Sequence, residues 1–207
     1  MTNMTEKSKY HMFSGEDESF FPSSVNINKD IPIAYKNAEP SEEVLKLFDQ
    51  QYADLDSGKN SFLKGIYFFG PAGTGKTHQM YGLLRKFRTE KVEGKLINVP
   101  DWLVQLRLKF ENTANNMGLS AEYWIEREIK YKDILFIDDL GVEKVTDWNS
   151  EILYRLINYR SENELTTYIA SNLSLNELAK QRDDRLTSRI AGLCVVKEIG
   201  GKDRRLG

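Results

Sequence analysis

The run Gly70-Pro71-Ala72-Gly73-Thr74-Gly75-Lys76-Thr77 constrains this chain more than any other stretch. It fits G-x-x-x-x-G-K-[ST], the consensus of a loop that cradles phosphate. Glycines carry no Cβ, so the backbone can curl and aim its N–H groups at phosphate oxygens. A helix that starts at such a loop adds the positive end of its dipole. Lys76 supplies a point charge for β- and γ-phosphates, and Thr77 a hydroxyl ligand for Mg²⁺. The flanks agree. Gly65-Ile66-Tyr67-Phe68-Phe69 reads as a buried strand. His78 to Lys86 reads as a helix, with Met80, Leu83, Leu84 and Phe87 as its apolar set. A Gly-rich turn with a chance lysine lacks this strand–loop–helix setting. Gly70, Pro71, Ala72, Gly73, Thr74, Gly75, Lys76, Thr77 and His78 are therefore assigned to nucleotide binding.

A second constellation follows downstream. Asp133-Ile134-Leu135-Phe136-Ile137-Asp138-Asp139 is an apolar run ending in two carboxylates. The run suits a strand buried on both faces of a parallel sheet. Its C-terminal end then points into the crevice where open α/β sheets bind ligands. Asp138 would hold Mg²⁺ through its water shell. Asp139 would polarise a water for attack on the γ-phosphate. Two adjacent carboxylates repel, and a bound cation offsets that repulsion.

Around these motifs the pattern alternates strand and helix, which predicts a parallel sheet with helices on both faces. Pro40-Ser41-Glu42-Glu43 marks a helix start, with Val44, Leu45, Leu47, Phe48 and Tyr52 at helical spacing. Lys95 to Val99 is the second strand, stopped by Pro100, and Asp101 caps a helix bearing Trp102, Leu103, Leu106 and Phe110. Glu111 to Leu119 reads as a loop, and Ser120 to Lys130 as a further helix. Trp148 to Tyr159 is helical, Thr166 to Ser171 a strand, Leu175 to Gln181 a short helix and Cys194 to Ile199 the last strand. Asn172 at its strand end either caps a turn or positions a water beside Asp139. Residues 1–30 lack periodicity and are expected to be a disordered arm, with Phe13, Phe20 and Phe21 as possible anchors. Residues 31–207 form one domain.

The composition sets outer bounds. A net charge of −2 and a pI near 5.8 give no global attraction to nucleic acid, so any such contact comes from a local patch or from assembly. Cys194 is the lone cysteine and suits a small core residue; there is no Cys/His set for structural zinc. No apolar run approaches the roughly 18 residues a membrane span needs. The N-terminus has no signal-peptide core, and the expected location is the cytoplasm.

With these residues in order, the chain resembles the IstB/DnaC-like family of AAA+ ATPases. The resemblance rests on the loop through His78, Phe136-Ile137-Asp138-Asp139-Leu140-Gly141 and Ser171-Asn172-Leu173. Asp184-Arg185-Leu186-Thr187-Ser188-Arg189 and Asp203-Arg204-Arg205 complete it. It implies a P-loop NTPase of AAA+ type: a three-layer α/β/α fold with a mainly parallel five-stranded sheet, here expected without a C-terminal lid domain. It implies an ATPase using ATP and Mg²⁺, acting as an assembly switch on DNA in helicase loading or transposition. DNA (in single-stranded form), a replicative helicase or a transposase, and an ATP-dependent homo-oligomer are the implied partners. By position Asn172 resembles sensor 1, Arg189 an arginine finger with Arg185 beside it, and Arg205 a sensor 2 arginine. Lys76, Asp139, Asn172, Arg189 and Arg205 are thus the catalytic set, and Thr77 and Asp138 the metal set. Arg107 and Lys109 are the candidate DNA contacts. The carboxylate pair is Asp-Asp where most AAA+ proteins have Asp-Glu, which predicts slow hydrolysis suited to a switch. A binding module with little hydrolysis, or a P-loop small-molecule kinase, are the alternative readings.

Overall fold

The computed structural model describes residues 27–115, 123, 126, 127 and 134–203. Five strands form one sheet: β1 (Gly65–Phe69), β2 (Gly94–Asn98), β3 (Ile134–Leu140), β4 (Thr167–Ser171) and β5 (Cys194–Glu198). Their spatial order is β2-β3-β4-β1-β5 and every pairing is parallel. Parallel neighbours need crossovers, and helices supply them: α1 (Glu42–Asp56) before β1, α2 (Lys76–Thr89) after it, and α3 (Val99–Asn115) after β2. Then come α4 (Asp147–Glu162) after β3, and α5 (Leu175–Gln181) with α6 (Asp184–Leu193) between β4 and β5.

Strand alternation splits the apolar side chains into two cores. Ile66, Phe68, Ile134, Phe136, Tyr168 and Ala170 face α1 and α2, meeting Phe48, Met80, Leu83 and Phe87. Tyr67, Leu135, Ile137 and Ile169 face the other way, meeting Leu103 and Leu106 of α3, Ile152 and Leu156 of α4, and Leu186 and Ile190 of α6. This is the three-layer α/β/α sheet expected from the sequence. Cys194 lies in the second core with its thiol donating to the Thr167 carbonyl at 3.1 Å, and burial pushes that thiol up. Arg160 is wholly buried, donating from Nε to Thr167 Oγ1 and from Nη2 to the Thr166 carbonyl, both at 2.7 Å. It fastens the end of α4 to the start of β4.

The predicted elements stand with small shifts and two corrections. Ser41 caps α1 through the Val44 N–H, as its position suggested. Pro100 does not stop β2 before a separate cap; it lies inside the first turn of α3, which starts at Val99. Proline is tolerated there because the first helical N–H groups have no intrahelical acceptor. The Asn98 carbonyl oxygen Oδ1 takes the Asp101 N–H at 3.4 Å, so Asn98 fills the capping place expected of Asp101. The loop expected from Glu111 is helical through Asn115, where α3 ends. Of the helix expected over 120–130, only Tyr123, Glu126 and Arg127 are described, and they are helical. Of the arm expected over residues 1–30, residues 1–26 lie outside the described residues, as do Arg204 and Arg205. Among the described residues no helix is long and apolar enough to cross a membrane.

Candidate nucleotide site

The sheet register brings the site together. Asn98 pairs with Asp138 across β2 and β3, and Phe69 pairs with Ser171 across β1 and β4. The C-terminal ends of four strands therefore stop at one edge, and the phosphate loop leaves β1 there. Gly70 is buried with φ +140°, and a Cβ on it would fall 2.3 Å from the Ile199 carbonyl oxygen. Only glycine lets the loop leave the strand so close to the end of β5. Thr74 is buried and donates its hydroxyl to the Pro71 carbonyl at 2.9 Å, bracing the turn from within.

Lys76 opens α2 and is 7% exposed. Its ammonium donates to the carbonyls of Gly70 and Pro71, both at 2.7 Å. The cation thus sits over its own loop, ready to exchange carbonyls for phosphate oxygens. Thr77 donates its hydroxyl to Asp138 Oδ2 at 3.0 Å. Asp138 is buried at the end of β3, and burial, with Asp139 beside it, pushes its carboxyl up to about 6. Thr77, the Asp139 N–H and Lys76 act the other way. A buried carboxylate beside a hydroxyl, facing a phosphate cradle, is a donor set that suits Mg²⁺. That ion is held by one or two carboxylates plus phosphate oxygens rather than by an all-protein cage. Among the described residues no cluster of three or more His, Cys, Asp or Glu forms such a cage.

Asp139 breaks the strand pattern. Its φ is +57°, and the β3–β4 register shifts between Ile137 and Leu140. This bulge turns Asp139 out of the line set by Asp138. Asn98 holds the result: its amide Nδ2 donates to Asp139 Oδ2 at 2.8 Å. The sequence reading missed this role of Asn98; the only signal available was a polar residue at the C-terminal end of the strand beside β3. Ser171 donates its hydroxyl to the Leu140 carbonyl at 2.6 Å, locking the ends of β3 and β4, and exposed Asn172 follows directly.

Other predicted residues lie apart from this cluster. Arg189 lies on α6 and its bonds go to α4 and to its own helix: Nε donates to Asn158 Oδ1, and Nη1 to the Arg185 carbonyl at 3.2 Å. Arg185 grips Asp183 from Nε and Nη2 at 3.0 and 2.7 Å. Arg107 on α3 lies over the Trp148 ring at 5.1 Å, and Lys109 is on the same helix. His78, by contrast, stays with the loop, directly after Thr77 in the first turn of α2. Two contacts were not legible beforehand. A Cβ on Gly73 would fall 1.9 Å from Asp203 Oδ1, so that carboxylate rests directly on the loop. The Glu143 carboxylate takes the Gly141 N–H at 2.9 Å and pairs with Arg182, both side chains being 3% exposed or less. Nε and Nη1 of Arg182 are buried with no hydrogen-bond partner among the described residues. This pair joins the segment after Asp139 to the turn before α6.

Comparison with known proteins fits this geometry. No family model matches the chain. It is 25% identical over 155 residues to the replicative helicase loader DnaI of Bacillus subtilis (strain 168), covering 69% of this chain and 48% of that protein. It is 31% identical over 147 residues to the phage-like element PBSX protein XkdC of the same organism, covering 69% and 52%. The chain spans about half the length of these curated relatives. The crystal structure of the DnaC helicase loader superposes with a TM-score of 0.62 at 22% identity, covering 82% of this chain and all of that one. The fold is thus that of AAA+ P-loop proteins.

Proposed function

From this likeness to IstB/DnaC-like AAA+ ATPases in motif order, sequence and fold, we propose that the chain binds ATP with Mg²⁺ and hydrolyses it slowly. We propose that it does so to help load a replicative helicase onto single-stranded DNA. The observation that carries the reading is the meeting of Lys76, Thr77, Asp138 and Asp139 at one edge of the sheet.

Each residue has a physical task. The N–H groups of Gly70 to Thr77 and the start of α2 hold the phosphates. Lys76 leaves the Gly70 and Pro71 carbonyls for the β- and γ-phosphates. Thr77 and Asp138 would hold Mg²⁺, which supplies neutralisation of phosphate charge when bound. Asp139, turned by its bulge and held by Asn98, accepts a proton from the attacking water. Asn172 helps position that water. Arg189 of a neighbouring copy stabilises the charge on the transferring phosphoryl, which makes turnover depend on assembly. Arg205 is assigned a sensor role on resemblance alone. Helicase loading is preferred over transposition because DnaI and DnaC, the loaders in the comparison, share this chain's sequence pattern and fold.

The test is ATP turnover measured across protein concentration, with and without single-stranded DNA and with a replicative helicase. The expected result is a rate per subunit that rises with concentration and with DNA. Lys76→Ala should lose nucleotide binding or turnover; normal turnover in that variant would refute the site. A rate flat in concentration and indifferent to DNA would refute the assembly switch. Absence of any helicase complex would remove the loading role.

A further inference from the structure

We propose that Tyr154 and Asn158 of α4 are the positioning residues of the arginine finger, and that Arg189 rather than Arg185 is that finger. The inference rests on the reading above and goes one step past it. α6 packs on α4 through Leu186 and Ile190, which share a core with Leu153, Leu156 and Ile157. On the rim of that contact both arginines lie over the Tyr154 ring, Arg185 with Cζ 5.3 Å and Arg189 with Cζ 4.9 Å from its centroid. Their charges are treated differently. Arg185 is spent on a two-pronged bond to Asp183, the residue that also caps α6 by taking the Arg185 N–H at 2.7 Å. Arg189 meets only neutral groups in its hydrogen bonds and ring contact: the ring face, the Asn158 amide oxygen and the Arg185 carbonyl. Among the described residues no carboxylate lies within ion-pair distance of it, and Asp183, held by Arg185, feels its charge only from farther off.

A guanidinium has five donors in a rigid fork. The Asn158 oxygen takes Nε, and the ring supports the plane from one side. Nη2 stays available for an incoming phosphate, and the charge is met only from a distance, by Asp183. A flexible arginine would lose rotamer freedom on docking to a neighbour's nucleotide; this one has lost it already, on a rigid helix pair. A second copy presenting a triphosphate is the partner this face fits.

Subunit mixing tests the proposal. Lys76→Ala subunits should not hydrolyse ATP but should lend a finger, whereas Arg189→Ala subunits should hydrolyse only beside a subunit that lends one. Mixing the two should restore turnover. Tyr154→Ala should behave like Arg189→Ala: turnover alone lower by on the order of tenfold, the scale of a lost cation–π contact, and restored by Lys76→Ala. The Lys76→Ala/Tyr154→Ala double variant should not rescue Arg189→Ala. Tyr154→Phe keeps the ring face and should turn over as the parent does. A merely structural defect would cripple the variant's own ATP site, and Lys76→Ala would then fail to restore it; that result overturns the positioning role. Parent-like turnover in Tyr154→Ala overturns it too. Parent-like turnover in Arg189→Ala removes the finger itself, and with it anything for Tyr154 to position.

Discussion

Asp138 holds a carboxylate whose surroundings resist its ionisation. Burial, then the neighbouring Asp139, lift its pKa from the ordinary 3.8 to about 6. The folded chain binds that proton more tightly than the unfolded chain. The group therefore favours the nucleotide-free fold most fully below about pH 4, and that contribution is lost as pH rises through about 6. Asp138→Asn, which cannot ionise, should melt above the parent at neutral pH, with the gap closing as the solution is acidified through that range. Thermal denaturation across pH without nucleotide measures this. Metal use should run the other way: Mg²⁺-dependent turnover should grow as pH rises through about 6, when the carboxylate forms. Asn98 makes a separable contribution. Asn98→Ala removes the amide that holds Asp139. A lost hydrogen bond to a charged group is worth about 1.5–3 kcal/mol, on the order of tenfold or more in rate. Steady-state kinetics should show kcat falling with KM for ATP little changed. A fall in affinity instead would mean that Asn98 serves the phosphate cradle.

At the level of elements, the strands and the loop between β1 and α2 were legible because each follows a short-range rule. Four apolar residues before two carboxylates are a weak signal alone, but downstream of a full phosphate loop they point to a buried strand ending at a crevice, and β3 is that strand. A loop consensus between strand and helix left little freedom for Gly70 to Thr77. What escaped depends on neighbours remote in sequence. Asn98 is an ordinary strand residue until the β2–β3 register sets it beside Asp138, next to the turned Asp139. Pro100 looked like a stop because the capping role of Asn98 was hidden in its side chain. Tyr154 and Asn158 read as unremarkable members of α4 until α6 folds back across them. Glu143 and Arg182, 39 residues apart, carry no local mark of being a buried pair. That pair gives a prediction at this scale. Arg182→Ala strands a buried Glu143 carboxylate and should cost about 3–5 kcal/mol in a denaturant titration. Replacing both partners with leucine should cost far less, since two apolar groups leave no orphaned charge.

Across the whole molecule, the sheet keeps the nucleotide edge at one set of strand ends and α6 beyond the end of β4. In the proposed assembly each copy is at once a recipient of a finger and a donor of one, a head-to-tail arrangement. The buried Glu143–Arg182 pair runs between those two roles, from the segment just after Asp139 to the turn just before the helix that bears Arg189. Glu143→Leu with Arg182→Leu should then leave a folded protein whose ATP turnover per subunit no longer rises with protein concentration; a rise like the parent's would show that the pair does not link the two ends. In the proposed assembly the pair ties a copy's own nucleotide edge to the helix that would serve the next copy, so the two ends of one chain are held to each other by a charge as well as by packing.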